Sequence, residues 1–218
     1  MLAVISCLMG VFALVVIADI LWRAKILKGE NQRKFTHVTV GTFAAFWPWI
    51  ISWRQIQLIA LAMAVVVLIN RRVQFLHLRG IHKKERETYG DVMMALAIFM
   101  CATLTTNKVF FALAILNMAL ADGFAAVIGA NFGKPWRYKV FHQPKTVIGS
   151  MTFWFVSLCI FAVGLLFVHD IISFSHYILL LILLPPILTI VENVTGLGED
   201  NLFVPLVVLI ALNAAQMS

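Results

Sequence analysis

Val147-Ile-Gly-Ser-Met-Thr-Phe-Trp-Phe-Val-Ser-Leu-Cys-Ile-Phe-Ala-Val-Gly-Leu-Leu-Phe-Val168 runs for 22 residues without a charge. About 20 apolar residues in a helix cross the roughly 30 Å of bilayer hydrocarbon, so this stretch alone predicts a membrane span. The whole chain repeats the pattern. Of its 218 residues 62% are hydrophobic and only 12% charged, with a mean hydropathy of +0.95. A water-soluble domain carries about twice that charge, so an aqueous globule is excluded. The net charge of +7 and pI near 9.6 would raise nucleic-acid binding in a soluble protein. In a membrane protein the same excess marks cytoplasmic loops, and no nucleic-acid partner is expected.

Eight apolar runs are candidate spans: Met1 to Trp22, Phe35 to Ser52, Ile56 to Asn70, Val92 to Leu104, Val109 to Gly129, Val147 to Val168, Ile171 to Val191 and Leu202 to Met217. The third and fourth are short, which leaves crossing and re-entrant segments both open on hydropathy alone. Charge decides for crossing. With eight spans, one side holds Arg23, Lys25, Lys28, Arg33 and Lys34, then Arg71, Arg72, Arg79, Lys83, Lys84 and Arg86, then Lys134, Arg137, Lys139 and Lys145. The other side holds only Arg54 and Lys108. Positive residues stay cytoplasmic, and removing one middle span would spoil the asymmetry. The expected fold is therefore an all-α, polytopic bundle of about eight spans with both termini on the non-cytoplasmic side. Residues 1–218 form a single membrane-embedded domain, and the first run has no basic leader of the kind a cleaved signal carries. Cys7, Cys101 and Cys159 lie in apolar runs without metal-ligand spacing, so neither disulfides nor zinc are expected.

The acidic residues gather on the basic side. Glu30, Glu85, Glu87, Asp91, Glu192, Glu199 and Asp200 flank the cytoplasmic connections, and Asp122 lies near that end of the fifth span. Mixed charge at helix ends is ordinary solvation, but Asp122 stands in Ala119-Leu-Ala-Asp-Gly-Phe-Ala-Ala-Val-Ile-Gly129, which has no other charge. A carboxylate at membrane depth costs roughly 2.5–3.5 kcal/mol on insertion scales, which points to a partner or a chemical role. Ala126, Gly129, Ala130 and Gly133 recur at helical spacing. They suit either close helix packing or a backbone that admits phosphate. The run Gly129-Ala-Asn-Phe-Gly133-Lys134-Pro135 is not a P-loop: it has one residue too few between its glycines, and Pro stands where Ser or Thr would hold Mg²⁺. Lys145, Thr146 and Ser150 at the mouth of the sixth span, with Lys134 on the same side, form a candidate phosphate cradle. The last connection, Glu192-Asn-Val-Thr-Gly-Leu-Gly-Glu-Asp200-Asn201, lacks any positive charge and offers hard oxygen ligands of the kind Mg²⁺ takes. Asp200 or Asn201 could equally be a helix cap.

Five ordered blocks carry a likeness: Arg33-Lys-Phe-Thr-His37; Arg86-Glu-Thr-Tyr-Gly90-Asp91; Asp122-Gly-Phe-Ala-Ala-Val-Ile-Gly129 with Phe132-Gly-Lys134; Lys145-Thr-Val-Ile-Gly-Ser150; and Glu192 with Asp200-Asn201 and Pro205. In these the chain resembles the integral-membrane polyprenol kinases, which phosphorylate phytol, dolichol or diacylglycerol with CTP, and it is most similar to the phytol kinases. Ala130 and Asn131 depart from the family's basic positions. The resemblance implies transfer of the γ-phosphoryl of CTP to a long-chain isoprenoid alcohol with Mg²⁺ as cofactor. It implies Asp122, Asp200 and Glu192 as metal ligands, Asp122 also as base, and Lys145 as a catalytic cation. Lys134, Lys145, Thr146, Gly129, Gly133, Arg33, Lys34 and His37 would bind phosphate or the lipid hydroxyl. Tyr89, Gly90, Asp91, Gly149, Ser150 and Asn201 complete the motifs.

Three other readings stand beside this one. A phosphatidate cytidylyltransferase-like enzyme would carry a Lys-Arg-x4-Lys-Asp signature that is missing here, and diacylglycerol kinase activity shares the same blocks. A small-anion or lipid transporter would place ionisable residues at the midplane, for which Asn117 and Pro185-Pro186 are the only supports. The expected location is a bacterial or archaeal plasma membrane, or else an organelle membrane, and nothing in the sequence requires a homo-oligomer.

Overall fold

The computed structural model describes residues 2–27, 30–73, 89–141 and 143–217. Each of the eight apolar runs forms helix. In chain order these are α1 (Leu2–Arg23), α2 (Glu30–Ala45) ending in a 3-10 turn (Trp47–Trp49), α3 (Trp53–Val73) and α4 (Gly90–Leu104). Then follow α5 (Lys108–Leu116), a π-helical turn (Asn117–Ala121), α6 (Asp122–Phe132), α7 (Val147–Val168), α8 (Phe174–Val194) and α9 (Asp200–Met217). The fifth run is thus one 25-residue rod, Lys108–Phe132, made of two α-helices with a π turn between them.

That rod is the axis of the bundle. It is 67% buried, against 11% for α1 at the periphery, because Phe110, Phe111, Ile115 and Met118 all point into neighbouring helices. Asn107 starts it by accepting hydrogen bonds from the backbone N–H groups of Val109 (2.9 Å) and Phe110 (3.2 Å), two donors the first helical turn leaves without a partner. Two glycines set how closely α2 crosses it. A Cβ on Gly41 would stand 2.5 Å from Ala119 Cβ, and one on Gly123 would stand 2.1 Å from Val38 Cγ2. Small residues let helix backbones approach in a medium that offers no hydrophobic drive between them. The consequence is local: the face of α2 that carries Lys34 and His37 lies on Asp122.

Five helices among the described residues are long and apolar enough to cross a membrane, namely α1, α3, the α5–α6 rod, α7 and α8. The chain is a helical integral membrane protein. The third apolar run proves longer than its hydropathy, since α3 has 21 residues. By contrast α4 keeps to 15, about 22 Å at 1.5 Å per residue, shorter than the hydrocarbon. The all-α expectation holds for the bundle, and one connection adds a short hairpin to it. The connection before α7 folds into a hairpin, β1 (Arg137–Val140) against β2 (Gln143–Thr146), with Tyr138 directly opposite Lys145. Its alternation Arg-Tyr-Lys-Val is too short to stand out beside the helical runs.

Candidate active site

The site begins at the π turn. Such a turn widens the helix for one register and is found disproportionately at functional positions. Here it delivers Asp122, buried, at the first position of α6. Lys34 Nζ, also buried, donates to both carboxylate oxygens of Asp122, at 2.8 and 2.6 Å. His37 stands one turn along α2, where its Nε2 is 3.4 Å from Asp122 Oδ2 and 3.1 Å from the carbonyl oxygen of Met118. A carbonyl only accepts, so Nε2 carries the proton. Lys34 therefore meets Asp122 directly, a pairing the sequence did not announce across 88 residues of separation.

A second lysine–carboxylate pair is built by the hairpin. Lys145 Nζ donates to the Glu192 carboxylate and, at 2.7 Å, to the Glu192 backbone carbonyl. That carbonyl lies in the last turn of α8, where peptide oxygens lack helical partners and a cation is favoured. Thr146 begins α7, its hydroxyl accepting from Gly149 N at 3.0 Å. Around it the glycines close up. A Cβ on Gly129 would stand 2.7 Å from Thr146 Oγ1 and 3.1 Å from Gly149 Cα, and one on Gly133 would stand 2.6 Å from Thr146 Oγ1. Of the two sequence readings for these glycines, the geometry displays packing: they let the end of α6 lie on the start of α7.

The third arm is the start of α9. Leu197 and Gly198 take positive φ (55° and 92°), and Gly198 packs so tightly on Gly90 that a Cβ there would stand 2.5 Å from Gly90 Cα. Glycine adopts that backbone without steric cost. Tyr89 N donates to Leu197 O at 2.8 Å and Asn201 Nδ2 to Gly90 O at 2.9 Å, so the start of α4 is stitched to the α8–α9 connection. Arg33 Nη1 shares that face of Gly90, 3.3 Å from where a Cβ would stand. The sequence blocks around Gly90 and Asp200-Asn201 are thus neighbours in space.

These three arms bring the carboxylates of Asp122, Glu192 and Asp200 together, with one oxygen of each within 4.8 Å of the others. Lys34 covers Asp122 and Lys145 covers Glu192, whereas among the described residues Asp200 forms no ion pair with Lys or Arg. Asn201 Oδ1, beside it in sequence, is buried with no hydrogen-bond partner among the described residues. Three hard oxygen donors, one without a cationic side chain, fit a divalent ion of the Mg²⁺ type.

Other expected residues fall at varied distances from this centre. Ser150 hydrogen-bonds Tyr138 and Asn193 rather than a carboxylate. Asp91 sits in the first turn of α4, half-buried. Lys134 is exposed after α6 and, among the described residues, takes no part in an ion pair. Lys28, Arg79, Lys83, Lys84 and Arg86 to Thr88 lie outside the described residues. Tyr138 and Asn193 were not singled out by sequence, although Asn193 adjoins Glu192 in the acidic connection.

The fold and this acid–lysine centre define an integral membrane protein with a buried polar site. Comparison with known proteins makes that class specific. The chain is 30% identical over 200 residues to a phytol kinase of Synechocystis sp., covering 89% of this chain and 83% of the relative. It belongs to the phytol kinase family. No family profile matches the chain, and no solved structure matches it.

Proposed function

We propose that the protein is a lipid-alcohol kinase that transfers the γ-phosphoryl of CTP to a long-chain isoprenoid alcohol, with Mg²⁺, at the cytoplasmic membrane face. The observation that carries this reading is the convergence of Asp122, Glu192 and Asp200 with Lys34 and Lys145. Phosphoryl transfer asks little covalent chemistry of a protein. It needs positioning and positive charge on the transferring oxygens. The basic bias of the connections that meet here supports the cytoplasmic side, eight crossings and both termini on the opposite face.

In this reading Asp200 and Glu192 hold the metal, with Asp122 as the third ligand, and the ion's chemistry is to draw charge from the nucleotide phosphates. Lys34 fixes Asp122 in place. Lys145, half-buried at the edge of the centre, exchanges part of its contact with Glu192 for a nucleotide phosphate oxygen. The alcohol oxygen bonds to the γ-phosphorus as the bridging β–γ bond breaks, CDP departs, and a carboxylate of the cluster takes the hydroxyl proton. Asp122 is the assigned base.

The test is incubation of the purified protein in detergent with γ-labelled CTP and Mg²⁺, offering phytol, farnesol, dolichol, undecaprenol and diacylglycerol in turn. Label should enter an isoprenoid alcohol. Label entering none of them sinks the kinase reading, and preference for diacylglycerol moves it to that acceptor. A transporter is less well supported, because Lys34, Asp122, Lys145, Glu192 and Asp200 converge toward one end of the helices rather than at midplane.

A further inference from the structure

Between the first two turns of α7 and the last turns of α8 lies a groove of about 560 Å³, lined by Val147, Ser150, Met151 and Trp154 on one side, Pro186, Thr189 and Ile190 on the other, and Tyr138 at its head. That size is within the roughly 300–1,000 Å³ typical of small-molecule sites. Val147, Met151 and Trp154 recur at helical spacing, as do Pro186, Thr189 and Ile190, so each helix contributes one stripe. Both helices are apolar enough to span the membrane, so this face meets hydrocarbon.

The head of the groove is polar but uncharged. Tyr138 Oη is 2.6 Å from Asn193 Oδ1 and 2.6 Å from Ser150 Oγ, and Ser150 Oγ is 3.0 Å from Asn193 Oδ1. Asn193 Nδ2 donates to Thr189 O at 2.9 Å, which fixes the amide so that its oxygen faces the two hydroxyls. An amide oxygen only accepts, so two hydroxyl protons serve three close oxygen contacts. Both protons can be used within the triad, which leaves oxygen lone pairs that can accept from a further hydroxyl.

We propose that this groove holds the acceptor alcohol, its chain between the α7 and α8 stripes and its hydroxyl donating to the Tyr138–Ser150–Asn193 triad. The occupant is argued from chemistry and from place. None of the lining residues is charged, which suits a neutral hydroxyl and not a phosphate headgroup. Tyr138 is directly opposite Lys145 in the hairpin, and residues so paired project to the same face. From that face Tyr138 reaches Asn193 while Lys145 reaches Glu192, the preceding residue of α8. The hairpin and the end of α8 thus carry both the triad and the Lys145–Glu192 pair, and the chain of an alcohol held by the triad leads out into the bilayer. The inference rests on the kinase reading for the role of the alcohol as acceptor, and its binding component is tested apart from transfer.

Protein in nanodiscs, without nucleotide, would be irradiated with a photoreactive isoprenoid alcohol and the adducts mapped by mass spectrometry. Adducts should fall on Met151, Trp154 or Ile190. Unlabelled phytol should compete at about tenfold lower concentration than the matching hydrocarbon, the worth of a hydrogen bond or two. Adducts elsewhere, or equal competition by the hydrocarbon, overturn the proposal. Met151→Trp, at an exposed position where the larger ring still folds, should displace the probe and raise the apparent KM for the alcohol while leaving that for the nucleotide. Tyr138→Phe with Ser150→Ala should weaken phytol competition and leave hydrocarbon competition unchanged. Correct adducts without any transfer from labelled CTP would uphold the groove and refute the kinase. Transfer with an unaltered alcohol KM in Met151→Trp would do the reverse.

Discussion

Two lysine–carboxylate pairs share this site and are built in opposite ways. Lys34 and Asp122 come from two helices pressed together through Gly41 and Gly123, and their side chains are 8% and 7% exposed. Lys145 and Glu192 join a two-stranded hairpin to the end of a helix, at 17% and 10% exposure. The first is a fixed charge pair inside packed helices. Its lysine spends two short hydrogen bonds on one carboxylate. The second has its cation on a short hairpin whose other strand is largely exposed, and an ammonium on four methylenes can change partners there. Equal chemistry thus divides into a part that holds a carboxylate in place and a part that can meet substrate.

The largest effect should come from breaking the fixed pair. Lys34→Met leaves Asp122 as an uncompensated buried charge, which typically costs about 3–5 kcal/mol, so yield and thermal unfolding temperature in detergent should fall sharply. Lys34→Met with Asp122→Leu should recover stability without activity, because replacing a whole buried pair is often neutral. If Lys145→Met destabilises as much as Lys34→Met, the distinction between the two pairs fails.

Next in size, Lys145→Ala should lower kcat or raise the nucleotide KM while the protein keeps its fold. Removing one preorganised charge from a developing anion is worth roughly 10²–10³ in rate. The Mg²⁺ titration should be unchanged, as steady-state kinetics at several metal concentrations will show. Asp200→Ala should behave inversely, shifting the Mg²⁺ needed for half-maximal rate upward by at least the roughly 10–100-fold that loss of an outer-shell partner costs. A parental titration in Asp200→Ala would reduce that residue to a helix start. The smallest change is expected from Thr146→Ala, which removes the hydroxyl that caps α7. That should cost about 1 kcal/mol of stability by thermal unfolding, with the hairpin pair intact.

Much of this molecule was legible in one dimension. Spans such as Val147 to Val168 follow from the bilayer, which demands about 20 apolar residues and internal backbone hydrogen bonding whatever the neighbours are. Asp122 was legible for the same reason, since an isolated acid in an apolar run is costly, and the acidic last connection stood out against the basic excess. The partners of these residues were not legible. Lys34 meets Asp122 across 88 positions because Gly41 and Gly123 permit one helix crossing, and crossings depend on shape matched across two surfaces. The hairpin escaped notice because four-residue strands carry too short an alternation to compete with helical runs, yet it decides where Lys145 and Tyr138 point. The solvent, the helices and the conspicuous buried acid are written in the chain, because each depends on one segment's own energy in lipid. Which cation sits on which carboxylate follows from packing, because that is a sum over contacts between segments and no segment records it alone.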